Sequence, residues 1–178
     1  LIFLSVTILH LFLFSSTAYA QPRFSHRHGF YETPFALTII PSSSGSDLYF
    51  TNDGSVPGPS HGTLYTSPLL IDTTTVIRAV EVNNGTAGKV STSTYLFADD
   101  IVRQPNDPEA YPSEWGPYTA LSGTAPADYE MDPEIMAMPG YADSVKAGLL
   151  SLPVISIVTD RDNLFSKSQD PLTGGIYI

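Results

Sequence analysis

Four carboxylates alternate along one short stretch of the chain: Asp128, Glu130, Asp132 and Glu134. An extended backbone would place them on one face, where their oxygens could hold Ca²⁺ or Mg²⁺. The alternative is that they are surface acids at a helix start, and we favour it because no Asp-x-Asp-x-Asp-Gly loop is present. A glycosidase acid–base pair needs a defined carboxyl separation, which closeness in sequence does not supply. The four residues are therefore weak metal candidates only.

The histidines are the other residues of chemical interest. His26 and His28 flank Arg27, and such an exposed pair is usually solvated rather than metal-bound. His61 falls in the loop 57–62, and we predict a loop residue rather than a base because no Ser or Cys in a nucleophile context accompanies it. We therefore predict no catalytic and no cofactor-binding residue in this chain.

The elements predicted around His61 are mainly strands, between residues 30 and 98. Phe35, Leu37 and Ile39 alternate with their neighbours, and residues 48–51, 76–82 and 90–97 give further strands. The Asn-Asp-Gly run at 52–54 is a strong turn signal. Short strands separated by Gly, Pro and Asn predict an immunoglobulin-like β-sandwich.

Composition limits the setting of the protein. Residues 1–20 carry no charge and end in Ala-Tyr-Ala, which predicts a signal peptide, since the apolar run of about 14 residues is shorter than the roughly 20 of a membrane span. We therefore expect a secreted or cell-surface protein without a membrane span after cleavage. The absence of Cys excludes disulfides and thiolate metal sites. The net charge of −10 disfavours nucleic acid and anionic lipid as partners.

Five segments emerge from these patterns: a signal peptide (1–20), a polar tail (21–29), the sandwich (30–98), a Pro-rich linker (99–127) and the incomplete start of an α+β domain (128–178). The linker contains Trp115, which we expect to anchor onto a neighbouring domain. In the last segment the patterns predict helical turns at 132–134 and 163–165, a helix at 141–150 and a strand at 152–159. The chain starts without Met and stops in a β-rich run, so we interpret it as an N-terminal fragment.

Several motifs carry a resemblance to known families. Residues 30–35 (Phe-Tyr-Glu-Thr-Pro-Phe), the turn 49–57 (Tyr-Phe-Thr-Asn-Asp-Gly-Ser-Val-Pro), Tyr65 with Pro68, and residues 75–79 (Thr-Val-Ile-Arg-Ala) resemble the immunoglobulin-like module at the C-termini of chitobiases and β-hexosaminidases. Residues 95–97, 104–105, 112–116, 128–134 and 152–160 resemble the region C-terminal to that module in secreted proteins of the CotH kinase-like family.

The CotH resemblance implies a kinase-like fold that transfers phosphate from ATP, with a lysine on the phosphates and acidic residues on the metal. Those positions lie in the family's region beyond residue 178. The resemblance therefore implies ATP and a divalent metal for the full-length parent, an atypical ATP-dependent kinase, and no cofactor in this chain. The Gly-Gly pair at 174–175 is not a phosphate loop, because residues 176–178 have the pattern of a strand rather than of a helix start.

These patterns lead to two functional hypotheses. In the first, the chain is the non-catalytic N-terminal part of a secreted CotH kinase-like protein, and its sandwich presents the downstream domain or contacts cell-wall or coat polymer. The alternative is a carbohydrate-binding module of a secreted glycan-processing or surface protein. Tyr31, Tyr49, Tyr65 and Tyr95 could stack on sugars, although we expect them to pack in the core. The expected partners are extracellular polysaccharide or coat protein.

Overall fold

The structure, a computed structural model, describes residues 20–109, 111–118, 123–160 and 162–165. The signal-peptide prediction lies, apart from Ala20, outside these residues, as does the Gly-Gly pair at 174–175. Within the described part, no helix combines the length and the apolar character that crossing a bilayer requires.

Strands dominate residues 20–97, and the described residues after them form helices and one hairpin. The strands are β1 (Arg23–Phe24), β2 (Gly29–Phe30), β3 (Phe35–Leu37), β4 (Ile39–Ile40), β5 (Asp47–Thr51), β6 (Thr63–Leu64), β7 (Leu69–Ile71), β8 (Thr75–Asn83), β9 (Thr86–Ala87), β10 (Ser91–Leu96), β11 (Glu114–Tyr118) and β12 (Gly123–Pro126). The helices are α1 (Ala98–Ile101), α2 (Pro133–Met136), α3 (Tyr141–Ser151) and α4 (Asp162–Phe165).

The largest sheet is six-stranded and has the order β2-β10-β8-β5-β6, with β9 also paired to β8. Its pairs are antiparallel except at the edge, where β2 runs parallel to β10. The β8–β9 turn is tight because Asn84 and Gly85 both adopt positive φ angles, of 49° and 77°, as a two-residue hairpin turn requires.

A second layer covers the inner face of this sheet. It consists of β1 paired with β4 and β3 paired with β7, and Ser25 joins the two pairs by exchanging hydrogen bonds with the backbone of Thr38. The buried core between the layers consists of Leu37, Ile39, Leu48, Ile71, Ile77, Ala79, Tyr95 and Phe97. The mainly β structure with several sheets is consistent with the predicted sandwich.

Two segments differ from the sequence interpretation. The polar tail at 21–29 contains β1 and the start of β2, which pair with β4 and β10, because its backbone finds partners that side-chain patterning does not reveal. The Pro-rich linker at 99–127 contains most of α1 and the hairpin of β11 with β12. The Trp115 side chain lies outside the part that the structure describes.

The last segment confirms three predicted elements and corrects one. Helices α2, α3 and α4 form where helical turns or a helix were predicted. The strand predicted at 152–159 is wrong: this stretch pairs with no strand among the described residues. Its Ile155 and Ile157 are 87% and 83% exposed. Branched apolar residues favour a strand only where a neighbour is available to pair.

Candidate functional site

Asp53, Ser55 and His61 form a chain of hydrogen bonds on the loop after β5. The Ser55 hydroxyl contacts Asp53 Oδ1 and lies 2.6 Å from His61 Nε2. Paired backbone bonds between Gly58 and His61 hold the loop closed. The hydrogen bond from the Ser55 hydroxyl lowers the pKa of Asp53, aided by the Ser55 backbone N–H. Sequence reasoning missed the approach of Ser55 to His61, since only the folded loop brings them together.

This arrangement contains the residue types of a hydrolase triad in a different order. In such a triad the imidazole stands between the hydroxyl and the carboxylate, which orients it as a base. Here Ser55 stands in the middle, so its hydroxyl, rather than the imidazole, meets the Asp53 carboxylate. The geometry therefore stabilises a loop, and it favours the prediction of a loop residue for His61.

Arg78 connects this loop to a distant part of the chain. Its Nη1 donates to Gly54 O at 2.7 Å and lies 3.6 Å from Asp160 Oδ1. The Arg78 side chain is only 15% exposed, so its charge faces the Asp160 carboxylate in a partly desolvated position. The Asp160 side chain is 46% exposed, so water screens part of this attraction.

Residues 154–160, here called the return segment, pass along the six-stranded sheet. Ser156 Oγ lies 2.7 Å from Thr94 Oγ1 on β10. Val154, Ser156 and Val158 line a cleft of about 340 Å³ with β10. At the other end, a Cβ added to Gly54 would lie 3.1 Å from Thr159 O. The segment thus faces the sandwich with alternate side chains.

Helix α3 makes a further contact with α1, the helix that follows the last strand of the sandwich. Lys146 Nζ is paired with Asp99 Oδ1 in α1 and lies 3.9 Å from Asp143 Oδ1. The hydrogen bond from Lys146 lowers the pKa of Asp99. The residues after the linker thus contact the rest of the chain in two separate regions: the return segment meets β8 and β10, and Lys146 meets α1.

A groove of about 550 Å³ lies beside the start of β8. Its lining residues are Thr73, Thr74, Asp100, Ile101, Arg103, Gln104, Pro105, Pro108, Tyr111 and Tyr129. The rings of Tyr111 and Tyr129 meet edge to face, with centroids 5.7 Å apart. Burial raises the pKa of Tyr129, whose hydroxyl donates to Pro112 O. The groove combines aromatic rings with amide, hydroxyl and charged groups.

The predicted acidic candidates are not assembled into a site. Asp128, Glu130, Asp132 and Glu134 are all exposed, and Asp132 Oδ1 instead accepts from two backbone N–H groups at the start of α2. Within the described ranges, no three His, Cys, Asp or Glu residues come close enough to hold a metal ion. The chemistry observed at Asp132 is helix capping.

The four tyrosines considered for stacking lie in the module in different environments. Tyr95 is fully buried, while Tyr31 and Tyr65 are partly buried against the core. Tyr49 is also partly buried, in the central part of the sheet. The Tyr31 ring is in contact with Phe35 at 4.4 Å and with Tyr95 at 5.8 Å between centroids. The rings of Tyr31, Tyr65 and Tyr95 serve the packing of the sandwich rather than an open platform.

Glu81 is a charged residue whose role sequence reasoning missed. It is fully buried in β8, and its carboxylate accepts from the backbone N–H and the hydroxyl of both Ser42 and Ser43 at 2.5–3.0 Å. Burial on its own raises the pKa of Glu81, but these hydrogen bonds outweigh it and lower the pKa to about 2. The carboxylate therefore joins the loop after β4 to the middle of the large sheet.

The fold places residues 23–97 in the class of two-layer, mainly antiparallel β modules. Residues 26–94 match the sequence profile of the chitobiase/beta-hexosaminidase C-terminal domain, so the resemblance of the sandwich to that module is confirmed. A search of curated proteins finds no match to the chain. The CotH kinase-like resemblance of the later residues stays a prediction.

Proposed function

We propose that the sandwich is a non-catalytic accessory module that fixes and presents the polypeptide C-terminal to it. The observation that carries this proposal is the return segment, which comes after α3 and packs along the large sheet. An accessory role also agrees with the match of residues 26–94 to a C-terminal domain of glycan-processing enzymes.

The contacts are of a kind that sets an orientation. Ser156 meets Thr94 at 2.7 Å on β10, and Asp160 meets Arg78 at 3.6 Å on β8. Two contacts on different strands fix both the position and the direction of the segment. A flexible linker that only tethers two units does not require such contacts.

The test is amide hydrogen exchange of the whole chain with the variant Asp160→Asn. We expect faster exchange at 154–165 and unchanged protection in β8 and β10, because the change removes the charge facing Arg78 but no core atom. The matched control is Asp143→Asn, whose carboxylate is 89% exposed. Equal exchange at 154–165 in both variants and in the parent chain would remove the basis for a presenting role.

The presented part, under this proposal, is the start of a CotH-type kinase-like domain in an exported protein. The support is the order of the motifs at 95–97, 104–105, 112–116, 128–134 and 152–160. The full-length protein would then use ATP and a divalent metal through residues beyond this chain. Sequencing the gene downstream of codon 178 tests it: an open frame with a lysine and acidic residues in kinase-like context supports the proposal, and a stop codon contradicts it.

A second candidate function is carbohydrate binding, which the groove beside β8 favours. Tyr111 is 46% exposed there, next to Arg103, Gln104 and Asp100, and sugar sites combine an aromatic face with a few polar groups. Titration calorimetry with chitohexaose tests it. Tyr111→Ala should abolish the binding and Tyr49→Phe should not; no heat with the parent chain would reject this candidate.

A further inference from the structure

A basic cleft lies between the first residues of the module and the start of β10. It has a volume of about 580 Å³, within the range of small-molecule sites. Its lining residues are Gln21, Pro22, Arg23, Phe24, His26, Arg27, His28, Ser91, Thr92 and Ser93. We call this set the basic cleft; among the described residues, no Asp or Glu lines it.

The concentration of Arg and His residues is unusual for this chain. The sequence contains 18 acidic residues against 8 Lys and Arg, yet two arginines and two histidines meet in this one cleft. By contrast, Arg78, Arg103 and Lys146 each face a carboxylate. Arg23 and Arg27 form no ion pair with any carboxylate in the part of the chain that the structure describes. Both residues are exposed, so their guanidinium groups are accessible to a ligand.

The backbone beneath these groups is held firmly. The hydroxyl of Tyr31 donates to Arg27 O at 2.7 Å, and that of the buried Tyr95 donates to His26 O at 3.2 Å. The Ser91 hydroxyl donates to Pro22 O. A solvated tail would have no such supports, whereas a binding site gains affinity when its groups are positioned before the ligand arrives.

The chemistry of the lining points to an anion attached to a sugar. Guanidinium forks bind carboxylate and sulfate groups through two parallel N–H bonds. Thr92 adds a hydroxyl, and Phe24, which also packs against the core, adds an apolar wall that is partly exposed. A densely charged polyanion such as nucleic acid or an anionic membrane would be repelled by the net charge of −10. A polysaccharide with one anionic group per sugar carries fewer charges per length than duplex DNA, which carries one per about 1.7 Å, and so meets less of that repulsion.

We propose that the basic cleft binds acidic polysaccharide, with Arg23 and Arg27 holding its carboxylate or sulfate groups and Phe24 contacting a sugar ring. This proposal is independent of the presenting role. It also uses a different site and a different ligand charge from the groove at Tyr111, so the two can fail separately.

The test is calorimetry of the whole chain with hexagalacturonate at 50 mM salt, with chitohexaose as the uncharged comparison. We expect the hexagalacturonate affinity to fall tenfold or more in Arg23→Gln/Arg27→Gln and at least fivefold in 500 mM salt. Lys146→Gln, a control whose cation pairs with Asp99 and lines neither the basic cleft nor the groove at Tyr111, should change it less than twofold. No hexagalacturonate binding, or equal binding by the double variant, would overturn the proposal.

Two further measurements test where the ligand binds and which anionic group is recognised. In ¹⁵N-resolved NMR spectra of the parent chain, hexagalacturonate should shift the amides at 21–28 and 91–93; shifts confined to other regions would contradict the assignment. Sulfated dextran replaces hexagalacturonate to distinguish sulfate from carboxylate, and tighter binding of either supports the shared chemistry. Equal or tighter binding to phosphatidylserine vesicles would assign the cleft to a lipid surface and overturn the polysaccharide proposal.

Discussion

The buried carboxylate of Glu81 gives the sharpest prediction. Replacing it in Glu81→Gln keeps the shape of the side chain but turns an NH₂ group toward Ser42 or Ser43, whose N–H and O–H groups all donate to the native carboxylate. The native pKa falls from 4.5 to about 2, which corresponds to about 3 kcal/mol. We expect Glu81→Gln to lower the free energy of unfolding by about 2 kcal/mol at pH 7. This is less than the value from the pKa, because solvent near the loop screens part of the interaction.

The same pKa gives the sign of the pH dependence. A carboxyl whose pKa is lower in the folded state stabilises the fold above the unfolded value, and this stability is lost as the pH falls toward the folded value. The difference in the free energy of unfolding between the parent chain and Glu81→Gln should therefore be largest above about pH 5. It should shrink as the pH falls from 4.5 toward about 2.

Urea unfolding at a series of pH values measures this difference. The control is Glu32→Gln, because Glu32 is exposed on the same module and its replacement should change the free energy of unfolding by less than about 0.5 kcal/mol. The reasoning is refuted if Glu81→Gln is as stable as the parent chain at pH 7, or if its deficit stays constant down to about pH 2.

Three further predictions concern packing and helix ends. Gly62→Ala should destabilise the chain in urea unfolding, because Gly62 has a φ of +126° and an added Cβ would lie 3.0 Å from Phe50 O; the control Gly148→Ala, with nothing within 4 Å in α3, should stabilise that helix by about 0.5–1 kcal/mol. Leu37→Ala, at a fully buried position, should lower the free energy of unfolding in urea by about 3 kcal/mol. A decrease below about 1 kcal/mol would contradict the core assignment. Asp132→Ala should cost α2 about 1 kcal/mol, seen as faster exchange at Glu134 and Ile135, whose N–H groups it caps.

The strands of the module could be predicted because the residues that favour each strand lie within it or in the adjacent turn. Leu37 and Ile39 are buried on one face, as their alternation indicates, and the turn after β5 coincides with the Asn-Asp-Gly run. The helix start at Asp132 was also predictable, since Pro at the next position is typical of the first turn of a helix.

The remaining features depend on contacts between distant residues. The two serines that bind Glu81 precede it by 38 and 39 residues, so the sequence around Glu81 does not indicate them. The basic cleft needs Ser91–Ser93 beside residues far earlier in the chain, as the bond from Ser91 to Pro22, 69 positions away, shows. The run at 152–159 has strand-like residues, but pairing is decided by which edges are free when the rest has folded.

The parallel pairing of β2 with β10 has a mechanical consequence. The chain enters the module beside the start of β10, where the Ser91 hydroxyl donates to Pro22 O, and leaves it after Phe97 at the other end of β10. A tension applied between the two ends therefore pulls β2 and β10 lengthwise past each other. The two residue pairs that join β2 to β10 are therefore loaded together instead of opening one after another.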